Sequence, residues 1–261
     1  MRTHRASTIF RISVRETARN YVLIGLLIAL PIAFITIAFA VTQDAQMPIE
    51  LAIDGEYQVV MRGLPEVHGV AMTPLTSTIL AGIVGLLLMQ DAKIVDGRLV
   101  LAGYQAREVV LARFGTLGIL VMLVTAVSVG VMAVDVMPEQ PMLFILAMFA
   151  VTLVYGLVGM LLGIVFDRMA GLWTILIVSM LDVGLFQSPL FPMGEDAWWV
   201  KILPGHHPME VVYDAGLTDQ PDTLAHLGFG FLYLVIIGTI AIGVFYLITR
   251  QHGSLLPEGF L

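Results

Sequence analysis

Six stretches of about twenty apolar residues constrain this chain more than any other feature of it. A bilayer core about 30 Å thick is crossed by about twenty residues of α-helix at 1.5 Å each. Segments at roughly 21–42, 72–90, 110–136, 141–166, 170–190 and 224–249 meet that length. With 58% hydrophobic and 13% charged residues, the chain lacks the charge of a soluble domain, where about a quarter of residues are charged. The six segments consume most of the 261 residues, so no separate soluble domain is expected and 1–261 reads as a single membrane domain. Cysteine is absent, which excludes disulfides, thiolate metal sites and a cysteine nucleophile. The first apolar segment, YVLIGLLIALPIAFITIAFAV, follows a run of arginines as a secretory signal would. It is too long for one and has no convincing small-residue cleavage site, so it is expected to be a span, kinked at Pro31.

Basic residues orient the spans. Arg2, Arg5, Arg11, Arg15 and Arg19 precede the first; Lys93, Arg98, Arg107 and Arg113 lie between the second and third; Arg168 separates the fourth and fifth; Arg250 follows the sixth. Arg62 and Lys201 alone fall on the other side, together with acidic residues such as Asp44, Glu50, Asp135, Glu195 and Asp222. Both termini are therefore expected to be cytoplasmic. One missed or invented span would scramble this pattern, so the charges also check the count of six. A net charge of −7, partitioned in this way, gives no reason to expect a nucleic-acid partner.

Residues 6–20, ASTIFRISVRETARN, place Ile9, Phe10, Ser13, Val14 and Thr17 at helical spacing, with Arg11, Arg15 and Arg19 on another face. This predicts a helix lying in the cytoplasmic interface with its arginines toward lipid phosphates. A plain positive-inside leader is the simpler alternative. Inside the spans, Asp182 is a lone carboxylate at lipid depth, with no Lys or Arg at any span's centre to neutralise it. Two readings stay open: a polar contact in a translocation path, with Gln187 and Tyr155 beside it, or an interhelical hydrogen bond to Tyr155 or Ser179. Gly159 and Gly163, with Gly156 before them, and Gly82 with Gly85 have the spacing of close helix contacts, as Gly238 and Gly243 nearly do.

The outer stretch 191–223 contains VKILPGHHPMEVVYDAG, whose His206, His207, Glu210 and Asp214 invite a metal reading. His206 and Glu210 stand at i, i+4 and His207 and Glu210 at i, i+3. Yet no H-E-x-x-H occurs, Pro208 interrupts a helix begun earlier, and adjacent histidines are expected to point different ways. No metal site and no catalytic residue are therefore assigned; an intramembrane metalloenzyme on His206, His207 and Glu210 stands as the alternative. Trp198 and Trp199 suit a membrane interface, while Leu203, Pro204 and Pro208 break the chain into short helices. The segment is expected to form an outer gate of re-entrant helices, with Pro208 in the first turn of the second.

The loop QDAKIVDGRLVLAGYQAREVVLARF, residues 90–114, mixes charge with apolar residues beyond what a connector needs. Asp96-Gly97-Arg98-Leu99, then Gly103-Tyr104, Arg107 and Arg113, are similar to the corresponding loop of ABC-2 type exporter permeases, although the acidic residue there is more often Glu and a common Pro is missing. An interfacial helix, six spans, this loop and a Leu-Pro segment before the last span also follow that family's order across almost the whole chain. The resemblance implies an all-α membrane protein, multi-pass in the plasma membrane of a prokaryote. It implies a non-catalytic permease that works as a dimer, with an identical or a related second half. Asp96, Gly97, Arg98, Leu99, Gly103, Tyr104 and Arg107, in the 91–107 loop, would then dock on a separate ABC ATP-binding subunit. Because nothing here matches G-x-x-x-x-G-K-[ST], ATP and Mg are expected on that partner and no cofactor on this chain. A membrane assembly or immunity factor that moves nothing is a further alternative.

Overall fold

A computed structural model describes residues 2–53, 56–101, 106–191, 197–220 and 223–253. Eight α-helices occur among them: α1 (Arg2–Ala18), α2 (Tyr21–Val41), α3 (Leu64–Leu101), α4 (Ala106–Asp135), α5 (Pro141–Val165), α6 (Arg168–Ser179), α7 (His206–Leu217) and α8 (Leu224–Gly253). Six stretches are long and apolar enough to cross a membrane: Tyr21–Val41, Leu64–Asp91, Glu108–Asp135, Pro141–Val165, Arg168–Phe186 and Leu224–Val244. Each coincides with an apolar segment of the sequence. The second starts earlier than expected, at Leu64 rather than near residue 72, because Leu64–Val70 continues the helix with Val67 and Val70 fully buried.

The spans are not equivalent. Those of α3 and α5 are 67% and 61% buried, whereas those of α2, α6 and α8 are 22%, 28% and 11% buried. A central α3–α5 pair is therefore wrapped by helices whose outer faces are apolar, as a lipid-facing mantle must be. Glycine sets the pair's closeness. A Cβ on Gly85 of α3 would stand 2.0 Å from the Gly156 carbonyl oxygen of α5, and one on Gly159 of α5 would stand 2.0 Å from the Gly82 carbonyl oxygen of α3. Gly243 meets nothing within 4 Å and Gly238 meets Leu157 Cδ1 alone, at 3.7 Å, so the pairing that their sequence spacing suggests is not a helix contact in this chain.

Two departures from regular α-helix matter, the first of which breaks the expected all-α fold. Strands β1 (Gln46–Ile53) and β2 (Glu56–Gly63) form an antiparallel hairpin in the register Ile49↔Val60 and Ile53↔Glu56. Alternation explains it: Ile49 and Leu51 turn into the core at 3% and 4% exposure, and the Leu64 amide donates to the Ala45 carbonyl at 2.7 Å to close the base. The second departure follows α6, where Met180–Phe186 continues as a π-helix. Such widened turns are frequent at functional sites.

At the opposite end of the bundle, α1 packs on the first turns of α4. Ser13 is buried and accepts from Thr116 Oγ1 at 3.0 Å and from Arg113 Nη1 at 3.4 Å, and Phe10 lies over Gly115. The predicted apolar face of residues 6–20 is thus in protein contact at Phe10 and Ser13, while Arg11, Arg15 and Arg19 are exposed.

Candidate functional site

The π-helical segment delivers Asp182 to the bundle interior at 3% exposure. A buried carboxylate requires donors, and three converge on it. The Tyr155 hydroxyl of α5 donates to Oδ2, Gln187 Nε2 donates to Oδ1 at 3.0 Å, and the Gly205 amide, at the entry to α7, donates to Oδ2 at 2.9 Å. The wider turn also lets the Gln187 amide close on the Asp182 carbonyl, five residues back, at 3.0 Å. One carboxylate therefore ties span four, span five and α7 together. Ser179, the other partner expected from the sequence, is buried and its hydroxyl has no partner among the described residues.

Gly205 permits this approach: a Cβ there would lie 2.9 Å from both Asp182 carboxylate oxygens. Its backbone, at φ −77°, suits any residue, so the need for glycine is one of space alone.

From Asp182 the network continues outward. Gln187 Oε1 faces His206 Nδ1 at 3.0 Å, and His207 Nδ1 faces His226 Nδ1, in the first turn of α8, at 3.3 Å. The three imidazoles cluster, with ring centroids 5.0 Å apart for His206–His207 and 5.1 Å for His207–His226. One sequence expectation is met here and one is corrected. α7 begins at His206 and Pro208 occupies its first turn, as expected, where the missing amide costs nothing. The adjacent His206 and His207 rings converge rather than diverge, since both flank the start of a helix packed against α8. Sequence reasoning missed His226; its signal was its place at the start of the sixth span, on the same side of the bilayer as His206 and His207. Asp214 is spent elsewhere: its carboxylate accepts from the Thr223 amide at 2.9 Å and from the Thr218 and Thr223 hydroxyls, pinning the α7–α8 connection. Glu210 Oε1 lies 4.0 Å from His206 Nδ1, the expected i, i+4 pair.

Burial holds the His206 imidazolium down to about 4, aided by the charges of His207, His226 and Lys201. Burial likewise lowers His207, with His226 second. The sign follows directly: with the folded value below the unfolded 6.5, the unfolded chain binds more protons between about 4 and 6.5, so stability is lost as pH falls through that window. Amide exchange along α7, corrected for its intrinsic rate, is expected to be faster at about pH 5 than at about pH 7. His206→Gln should flatten that dependence.

Of the outer-segment residues, Trp198 is 74% exposed, Trp199 is 43% exposed with its ring edge-on to Phe186 at 4.9 Å, Leu203 and Pro204 are half-buried, and Pro208 is buried. The helix α7 that follows is 12 residues long and buried from Pro208 to Leu217 except at Glu210, too short to cross a bilayer. The loop residues divide differently. Asp96, Gly97, Arg98 and Leu99 fall on the continuous helix α3 and Arg107 on α4, but their side chains lie outside the described residues, as do Gly103 and Tyr104 entirely.

The architecture has a counterpart among known families. The family model for ABC-2 family transporter proteins matches residues 70–245, about two thirds of the chain, from the second span through the sixth. No curated protein matches it. Six membrane-spanning stretches around a buried α3–α5 pair, the second to the sixth of them matched by that model, identify this multi-pass membrane protein as a member of the ABC-2 family of transporter proteins, a permease component of ABC transporters.

Proposed function

We propose that the chain is the membrane-spanning subunit of an ATP-driven exporter in a prokaryotic plasma membrane, working as a dimer with a separate ATP-binding subunit. The family match across spans two to six carries this reading. Two further observations support it. The outer faces of α2, α6 and α8 leave enough apolar surface for both lipid and a second permease copy. At the other end, α1 is hydrogen-bonded to α4 through Ser13, Thr116 and Arg113, so a load on α1 reaches the third span directly.

In this reading ATP and Mg act on the partner, and closure of the partner pair pushes on residues 91–107 through Asp96, Gly97, Arg98, Leu99, Gly103, Tyr104 and Arg107. The path opens along spans one, two and five past Asp182, Gln187 and Tyr155. Trp198, Trp199, Leu203, Pro204 and Pro208 form the outer gate, which the Asp182–Gly205 bond ties to the core.

The test is co-expression with candidate ABC ATP-binding proteins from the same genome, purification through a tag on this chain, and ATPase assay in nanodiscs. Replacing residues 97–104 with a Gly-Ser linker of equal length is expected to weaken capture of the ATPase about thirtyfold, as loss of an interface hot spot does, while the permease still elutes as a folded species. Unchanged capture by that variant, or no capture by the native chain, overturns the proposal.

A further inference from the structure

The three-histidine cluster brings ring nitrogens close enough together for one metal ion to reach all three. Tetrahedral coordination with metal–nitrogen bonds of about 2.0–2.1 Å puts neighbouring ligand nitrogens about 3.3–3.4 Å apart, and His207 Nδ1 and His226 Nδ1 stand 3.3 Å apart. One ring nitrogen from each of His206, His207 and His226 falls within 4.8 Å of the others. We propose that these three imidazoles bind one divalent transition-metal ion of the zinc type, clamping the start of α7 to the start of α8.

The surroundings are those of a supported ligand set. Metal-bound histidines are held by a partner on the ring's far side, which fixes orientation and tautomer. Gln187 has that relation to His206. Its Nε2 is committed to Asp182, so its Oε1 accepts from His206 Nδ1–H at 3.0 Å and leaves the ring's lone pair on Nε2. His207 is stacked on Phe229, with centroids 5.0 Å apart and planes at 27°. Tyr233, 5.8 Å from the same ring, is fixed by its hydroxyl bond to the Ile202 carbonyl at 2.8 Å. All three histidines are half-buried, shielded from bulk water yet within reach of an ion. An imidazole set selects zinc, copper or nickel over the oxygen-seeking calcium and magnesium. Three protein ligands leave a tetrahedral ion one further position, as in open zinc sites. The chain between the ligands, residues 208–225, includes the whole of α7 after its first two residues, so the ion would close a loop around the helix that bears the Asp182 tether.

The experiment uses the full chain, purified without a polyhistidine tag, titrated with zinc against a chromophoric chelator and with magnesium in parallel. One zinc per chain is expected, with no saturable magnesium binding. His226→Gln should weaken zinc at least about a hundredfold, and Gln187→Leu, as a positioning change, about tenfold at unchanged stoichiometry. His68→Gln, which removes the ring that pairs with Thr42, should leave zinc binding as it was. Cobalt(II) on the native chain reads the ligand set without a variant: the intense visible bands of a four-coordinate ion support the site. No saturable zinc on the native chain, equal zinc on His226→Gln, or the weak spectrum of a six-coordinate cobalt ion overturns it and leaves a histidine–histidine hydrogen bond only. None of these readouts depends on transport, so the result stands apart from that of the ATPase capture.

Discussion

Asp182→Ala is expected to destabilise the fold by about 3–5 kcal/mol. The carboxylate accepts from the Tyr155 hydroxyl, Gln187 Nε2 and the Gly205 amide, and its removal strands three donors around a buried site. Each stranded donor costs about 1–3 kcal/mol, and partial entry of water returns some of the sum. Asp182→Asn should fall between, because the amide keeps one accepting oxygen but turns an NH2 toward a donor. Thermal unfolding in detergent, read by size-exclusion recovery, measures both. The same pair separates the two roles that the sequence left open. If Asp182→Ala melts with the native chain while substrate-dependent ATPase stimulation disappears, the carboxylate serves cargo and not the joint between helices.

Gly159→Ala is the second large effect, at about 3 kcal/mol, above the usual 1–3 kcal/mol range for overpacking only if neither helix can yield. The obstacle is backbone: the new methyl would sit 2.0 Å from the Gly82 carbonyl oxygen and 2.7 Å from its carbon. No rotamer relieves that contact, so α3 and α5 must separate, and with them the core that packs Tyr155, Val154 and Met160. Gly85→Ala meets the same obstacle from the other side, 2.0 Å from Gly156 O. Gly243→Ala and Gly130→Ala, with nothing within 4 Å, should be neutral or stabilising by up to about 1 kcal/mol, the helix-propensity difference. Melting temperatures of the four variants decide the matter. A Gly243→Ala loss comparable to that at Gly159 would mean that α8 is covered by a second chain.

Much of this was legible in the sequence, for identifiable reasons. The spans announced themselves because a bilayer demands length and apolarity together, which few other constraints imitate. Tyr155 was identifiable as a partner of Asp182 because a carboxylate at lipid depth narrows its partners to the few polar groups nearby. What escaped depended on local shape or on distant residues meeting. The hairpin carried a signal, Asp54-Gly55 between alternating apolar residues, but it sat in a loop read for its charges. His226 could not be joined to His206 and His207 without knowing that α7 folds back beside α8. Nor does MLDVGLF state that its turn is π-helical; only the interior placement of Asp182 requires it. Glycine spacing showed which helices were able to touch but not which did, hence the real contact at Gly85 and Gly159 and the open space at Gly243.

The unbroken course of α3 has a mechanical consequence. At 38 residues and 1.5 Å per residue it is a rod about 57 Å long, well beyond the thickness of the bilayer core. Its middle is clasped to α5 backbone against backbone, too tightly to slide by a turn, since a one-turn shift would drive bulkier side chains into the glycine notches. A rod so gripped can tilt but cannot piston. Under the proposed coupling, a push beyond Asp91 would turn the α3–α5 pair as one lever about its glycine fulcrum, with the hairpin and α7 on the far arm.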